Sequence, residues 1–211
     1  MMKKGSIIIN MKNKKITRKI SQGVYVLTNK DSGCIVDAVS QVSSSDNPLI
    51  SVAVMKKNYT NITMHNNKTF ALSVLGKNVD PNIIETFGYH SSKDYDKFSK
   101  VEIEIIENEK IIKDSLGYMI CEIVDEIDTD THHLFIGKLI HADVFKDEEV
   151  LTYGYYQEHK DDYIKVVTKE NKIAWVCTVC GYVEYLEILP DDYKCPVCKV
   201  GKELFKKQEE K

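Results

Sequence analysis

Little in this chain invites a nucleic-acid, membrane or extracellular role. Its 29 Lys and Arg against 32 Asp and Glu leave a formal net charge of −3, so there is no basic field of the kind that nucleic acid or an anionic bilayer requires. Long apolar runs are missing too. The opening MMKKGSIIINMKNKKI has only Ile7, Ile8 and Ile9 between lysines, far short of a signal-peptide core or a membrane span. A cytoplasmic location is expected, and the Asn-x-Thr sequons at Asn58, Asn61 and Asn67 then carry no glycan. Also absent are a phosphate loop, Gly-x-Gly-x-x-Gly, His-Glu-x-x-His and a serine nucleophile elbow. The sequence has no internal repeat and no low-complexity tract.

What is present is globular. Hydrophobic residues make up 43% and charged residues 29% of 211 positions, enough for one domain of ordinary size and a small appendage. Residues 1–15 read as a disordered N-terminal extension, with Met11 an alternative start. From 16 to 157, short runs rich in Val, Ile, Tyr and Thr are broken by Gly, Asn, Asp and Ser clusters, the pattern of β-strands. Strands are expected at 23–28, 34–43, 49–55, 69–75, 101–106, 118–125 and 133–145, with a weaker one at 109–113. So many short strands argue for a closed or nearly closed barrel. Helices are expected at 59–66 and at 81–89, the second capped by Asp80 with Pro81 at its first position, as decoration on the barrel. The charged EHKDDYIKVVTKENK, 158–172, reads as a linker. Behind it, 173–211 is a cysteine module.

That module, WVCTVCGYVEYLEILPDDYKCPVC, holds two Cys-x-x-Cys pairs. Each tight turn points two sulfurs at one ion, so Cys177, Cys180, Cys195 and Cys198 supply the four thiolates of a closed tetrahedral site. Two disulfides are disfavoured in a reducing compartment. Zinc and a mononuclear iron centre suit the donor set equally.

The residues around the ligands go further. CTVCGY and LPDDYKCPVC, with Trp175 two positions before the first cysteine, resemble rubredoxin, and the shortened loop between the turns is similar to the terminal modules of rubrerythrins. The resemblance implies iron. Gly181 matches the family's glycine after the first knuckle, whereas Lys199 stands where most rubredoxins have glycine. Trp175, Tyr182, Tyr193 and Phe205 form both the shield and the small core.

In the larger part, GVYVLTNKDSGCIVDAVSQVSSSDNPLISVAVMKKNYTNI, then FALSVLG, THHLFIGKLIHADVF and TYGYY, resemble the flavin reductase-like family of FMN-binding split barrels. The fold implied is mainly β: a split β-barrel with short helices plus a small C-terminal rubredoxin-like metal module. The resemblance places Asp37, Ala38, Val39, Ser40, Gln41, Val42 and Ser43 beside the isoalloxazine. The ribityl phosphate falls to the turn Lys56, Lys57, Asn58, Tyr59 and Thr60, where lysine charge, Asn and Thr donors and free N–H groups suit an anion. His132 matches a histidine near the flavin or nicotinamide; His133 should face the other side of the sheet. Cys34 and Cys121 are expected to pack as small hydrophobes, and His65, His90, His141 and His159 show no ligand spacing.

The two parts together resemble the high-molecular-weight rubredoxins. That resemblance implies electron flow from NAD(P)H, directly or through a reductase, to FMN, to the four-cysteine iron and on to an acceptor such as a flavodiiron oxygen or nitric oxide reductase, in a homodimer. Two other classes remain open: a flavin reductase that releases reduced FMN and carries a structural zinc knuckle for partner docking, and a non-catalytic binding protein.

Overall fold

The computed structural model describes residues 16, 19–163, 173–179, 182–196 and 199–207. The expected N-terminal extension, most of the expected linker, Gly181 and two of the four cysteines, Cys180 and Cys198, lie outside the described residues.

Seven strands form one antiparallel sheet: β1 (Tyr25–Thr28), β2 (Gly33–Val36), β3 (Val39–Gln41), β4 (Leu49–Met55), β5 (Thr69–Val74), β8 (Gly117–Asp128) and β9 (His132–Val144), in the order β2-β1-β5-β8-β9-β4-β3. The two edge strands, β2 and β3, are separated in sequence only by Asp37 and Ala38. Two residues of extended chain span about 7 Å, so the opposite edges must meet and the sheet must curl into a split barrel. Ala53 of β4 donates its N–H to the carbonyl of Ala38 at 3.0 Å across this seam. Sequence pattern implies a single strand over 34–43; the break falls where the chain leaves one edge of the sheet for the other, and the apolar run hides it.

Inside the curl lies a core built on Leu27, Val52, Phe70, Leu72 and Phe135, all fully buried. Cys34 and Cys121 belong to it, and burial pushes their thiols up to about 11 and about 12 respectively. A separate hairpin, β6 (Ile103–Ile106) and β7 (Glu109–Ile112), turns through Glu107 and Asn108. Both have positive φ, 49° and 65°, the conformation that two-residue hairpin turns demand.

Helix α1 (Tyr59–Met64) begins at Asn58, whose side chain accepts from the N–H of Thr60. Helix α2 (Pro81–Tyr89) is capped by Asp80, which accepts from Asn82 N–H at 2.9 Å. Far from decorating the exterior, α2 buries Ile83, Ile84 and Phe87 in a second core with Val24, Val26, Leu75 and Leu151. Two further helices, α3 (Tyr153–Glu158) and α4 (Lys160–Tyr163), stand where the sequence pattern gives a loop and the start of a linker. Tyr163 is 5% exposed and its hydroxyl donates to Lys77 O at 2.7 Å, so the chain stays packed on the barrel through 163. Aromatic anchors inside a charged stretch are the reason the linker reading began six residues too early.

The C-terminal module is a three-stranded sheet, β10 (Ile173–Cys177), β11 (Val183–Leu186) and β12 (Phe205–Lys207), in the order β11-β10-β12.

Candidate functional site

One end of the barrel opens into a cavity of about 610 Å³, within the range of about 300 to 1,000 Å³ usual for small-molecule sites. The seam, the β4–α1 turn, α2, α3 and the C-terminal module all contribute walls.

Asp37 sits in the seam and faces the cavity. Burial raises its carboxyl above the ordinary range, while backbone N–H groups and nearby His132 pull it back. His132 opens β9 opposite Met55, and Lys56 N–H donates to Thr131 O at 3.0 Å. The histidine therefore lies at the same end of the sheet as the turn after β4. Burial lowers the His132 imidazole and Asp37 opposes that shift. His133, one residue on, points the other way: its Nδ1 lies 2.9 Å from Asn61 Oδ1, against α1.

The turn divides its two lysines. Lys57, with Asn58 and Tyr59, lines the cavity. Lys56 instead pairs with Asp128 on β8. Thr60 is buried, and its hydroxyl meets the Cys34 thiol, opposing the upward shift that burial gives that thiol.

Of the strand residues assigned by resemblance to the isoalloxazine, Asp37 reaches the cavity, and Ala38 ties the seam. Val39, Ser40 and Gln41 form edge strand β3 against β4. Val42 is 52% exposed, and Ser43 Oγ accepts from Leu49 N–H at 2.8 Å; none of these five lines the cavity.

The opposite wall is aromatic and apolar: Ile84, Phe87 and Tyr89 from α2, Tyr153 and Tyr156 from α3. Tyr89 and Tyr156 share a hydroxyl–hydroxyl hydrogen bond of 2.5 Å. Sequence reasoning missed this wall because it comes from segments distant in the chain. The tyrosines of TYGYY were its one visible trace.

The metal module packs around Cys177 and Cys195, both fully buried with Leu189 and Phe205. Its hydrogen bonds hold the knuckles. Cys177 N–H donates to Tyr182 O and Cys195 N–H to Val200 O, each at 2.8 Å. Glu184 Oε2 accepts from Tyr182 and Tyr193 hydroxyls at 2.9 and 2.6 Å. Burial and that carboxylate push the Tyr182 phenol up to about 12 and raise Tyr193 as well. Lys199, in the second knuckle, has φ 63°, the left-handed region in which glycine is unstrained. Two buried cysteines from separate knuckles, in a chain with four so spaced, fit a thiolate-bound metal by the chemistry of the donor set.

Val179 and Pro196, one inside each Cys-x-x-Cys, line the same cavity as Asp37, Lys57 and His132, together with Tyr182. The cysteine-bearing end of the module thus faces the barrel's cavity.

This pairing defines the class. The flavin reductase like domain family matches residues 17–163, and the chain belongs to it; the rubrerythrin, rubredoxin-like domain family matches 175–206. The protein is an oxidoreductase with a flavin reductase-like domain and a rubredoxin-like module. Over nearly its whole length it is similar to the high molecular weight rubredoxin of Moorella thermoacetica, 28% identical across 90% of this chain and 97% of that protein. It is 33% identical to a ferric-chelate reductase (NAD(P)H) of Archaeoglobus fulgidus, across 65% of this chain and 85% of that one. Among solved structures, the NADH:FAD oxidoreductase SgcE6 of Streptomyces globisporus superposes with a TM-score of 0.61 at 23% identity, covering 67% of this chain and 87% of that one. That likeness is one of fold.

Proposed function

We propose that the chain accepts electrons from NAD(P)H, directly or through a reductase, on FMN held in the cavity, and relays them to iron held by Cys177, Cys180, Cys195 and Cys198 for a partner such as a flavodiiron oxygen or nitric oxide reductase. The observation that carries this reading is the shared cavity: Val179 and Pro196 bring both cysteine knuckles to the same space as Asp37, Lys57, Asn58 and His132. A bound flavin accepts a hydride as an electron pair and a tetrathiolate iron passes electrons one at a time; the protein's task is to hold the two close and exclude water.

The residues suit that task. Lys57 and Asn58 supply a cation and a polar side chain for a phosphate. Ile84, Phe87 and Tyr89 offer the apolar flank that a planar ring system favours. His132 and Asp37 stand together at the polar end as proton-carrying groups. Exposed Val124, Ile127 and Ile140 on the β8–β9 hairpin support a homodimer, checked by sedimentation. Among the described residues no helix is long and apolar enough to cross a membrane, and the low net charge fits a cytoplasmic protein.

The test is the Cys177→Ser/Cys180→Ser double variant. It should lose iron and transfer to a protein acceptor while retaining FMN; transfer at the normal rate refutes the relay. Similarity to the ferric-chelate reductase favours a second reading, in which the barrel reduces a small acceptor directly. In that case the double variant keeps NAD(P)H-dependent reduction of a ferric chelate at full rate.

A further inference from the structure

A cluster on the far side of β9 from the cavity takes no part in this relay. His65 caps the C-terminus of α1, Glu126 lies on β8 and His133 on β9. One ligand atom from each lies within 4.8 Å of the others.

The strand register builds the group. Asp128 pairs directly with His133, and Glu126 with Phe135 two positions along, so Glu126, Asp128 and His133 share one face of the hairpin. His65 reaches over the same face, its ring 4.7 Å from His133 and 5.4 Å from Phe135. Its Nδ1 sits 3.0 Å from Glu126 Oε2.

The tautomer of His133 is fixed from below. Asn61 is buried at 3% exposure and its Nδ2 donates to Val54 O at 3.0 Å. Its Oδ1 is therefore the atom that faces His133, and an amide oxygen only accepts. Nδ1 of His133 must donate, which leaves Nε2 as the ring atom open to a ligand. Nε2 is the outward atom of the ring, with Asp128 Oδ1 3.6 Å away. Asp128 is itself held by Lys56, which leaves Glu126 as the available carboxylate. A buried amide oxygen that engages Nδ1 and turns Nε2 outward is the arrangement that supports metal-ligating histidines.

We infer that His65, Glu126 and His133 form a binding site for a borderline divalent transition metal, zinc or cobalt in character, distinct from the cysteine site. Two imidazoles and one carboxylate are the donors such ions take, and three protein ligands leave a fourth position for water. Metal–ligand bonds of about 2.0 to 2.2 Å place tetrahedral ligand atoms about 3.3 to 3.6 Å apart. Rotation of the exposed His65 and Glu126 side chains closes the remaining distance. The ion ties α1, and with it the turn that begins at Lys56, to the β8–β9 hairpin.

The test uses the full chain with its cysteine site loaded with iron, titrated with Co(II). Expected is a single additional cobalt with d–d absorption and no thiolate-to-cobalt charge-transfer band, displaced by Zn(II). His65→Gln and Glu126→Gln, both at exposed positions, should each weaken it by at least about tenfold while the iron–thiolate spectrum and thermal transition stay unchanged. The inference is overturned by any of three results: no cobalt bound beyond the iron site, cobalt bound with thiolate charge-transfer bands, or undiminished affinity in the His65→Gln/Glu126→Gln double variant.

Discussion

Two adjacent lysines follow β4, and the structure gives them different work. In the proposed reading only Lys57 meets the flavin phosphate, because Lys56 is engaged by Asp128 outside the cavity. A charge-assisted hydrogen bond contributes about 1.5 to 3 kcal/mol. Lys57 is exposed, so solvent screening selects the lower end, and about 1.5 kcal/mol corresponds to roughly tenfold in affinity. Lys57→Ala should therefore weaken FMN binding about tenfold. Lys56→Ala removes an ion pair whose partner, Asp128, is 71% exposed; such pairs contribute about 0 to 1 kcal/mol, and FMN affinity should change by less than about threefold. Flavin fluorescence quenching on titration into apoprotein measures both. Riboflavin is the internal control: it keeps the ring and lacks the phosphate, so Lys57→Ala should leave its affinity unchanged. Equal losses for FMN and riboflavin, or a Lys56→Ala defect as large as that of Lys57→Ala, refute the assignment.

Other expectations follow from packing and backbone geometry. A methyl on Gly137 would lie 2.6 Å from Phe70 and Cys121 side-chain atoms in the barrel core, so Gly137→Ala should cost about 1 to 3 kcal/mol by urea unfolding; an unchanged midpoint counts against this packing. Lys199→Gly removes the left-handed strain at φ 63° and should stabilise the module by about 0.5 to 1 kcal/mol, read as a higher denaturant midpoint for loss of the iron–thiolate colour, and a lowered midpoint contradicts the strain argument. Burial raises the folded-state pKa of Asp37, so its stabilising contribution is present below the unfolded value near 4 and lost as pH rises through the folded one. Asp37→Asn should therefore stabilise the flavin-free protein at pH 7, with the gain shrinking to nothing toward pH 3. A variant less stable at pH 7 rules out that account.

Where local chemistry dictates structure, the sequence was readable. β4 spans a mostly apolar run of seven residues between Pro48 and Lys56, and α2 begins at its Asp-Pro signal. The two Cys-x-x-Cys pairs were legible as a ligand pattern for the same reason, since each is a local geometry. Long-range consequences were not: the pairing of His65 with Glu126 and His133 depends on a strand register and a helix end brought together only by the barrel. Likewise nothing in Ile84, Phe87 or Tyr156 marks a cavity wall, because apolar residues on a helix announce burial without saying against what. Asp37 was assigned to the flavin strand, but its place at a gap between two sheet edges required the topology.

That gap makes the cavity adjustable by a single peptide. Every ladder of the seven-stranded sheet would survive a cut between Asp37 and Ala38, yet the covalent tie between its first and last strands would be gone. Chain length at this point therefore acts as a clasp on a sprung ribbon, setting how far the ring stands open while the strands themselves keep their partners. One inserted residue could widen the mouth without disturbing the packed interior, which gives such barrels a cheap route to flavins and acceptors of different girth.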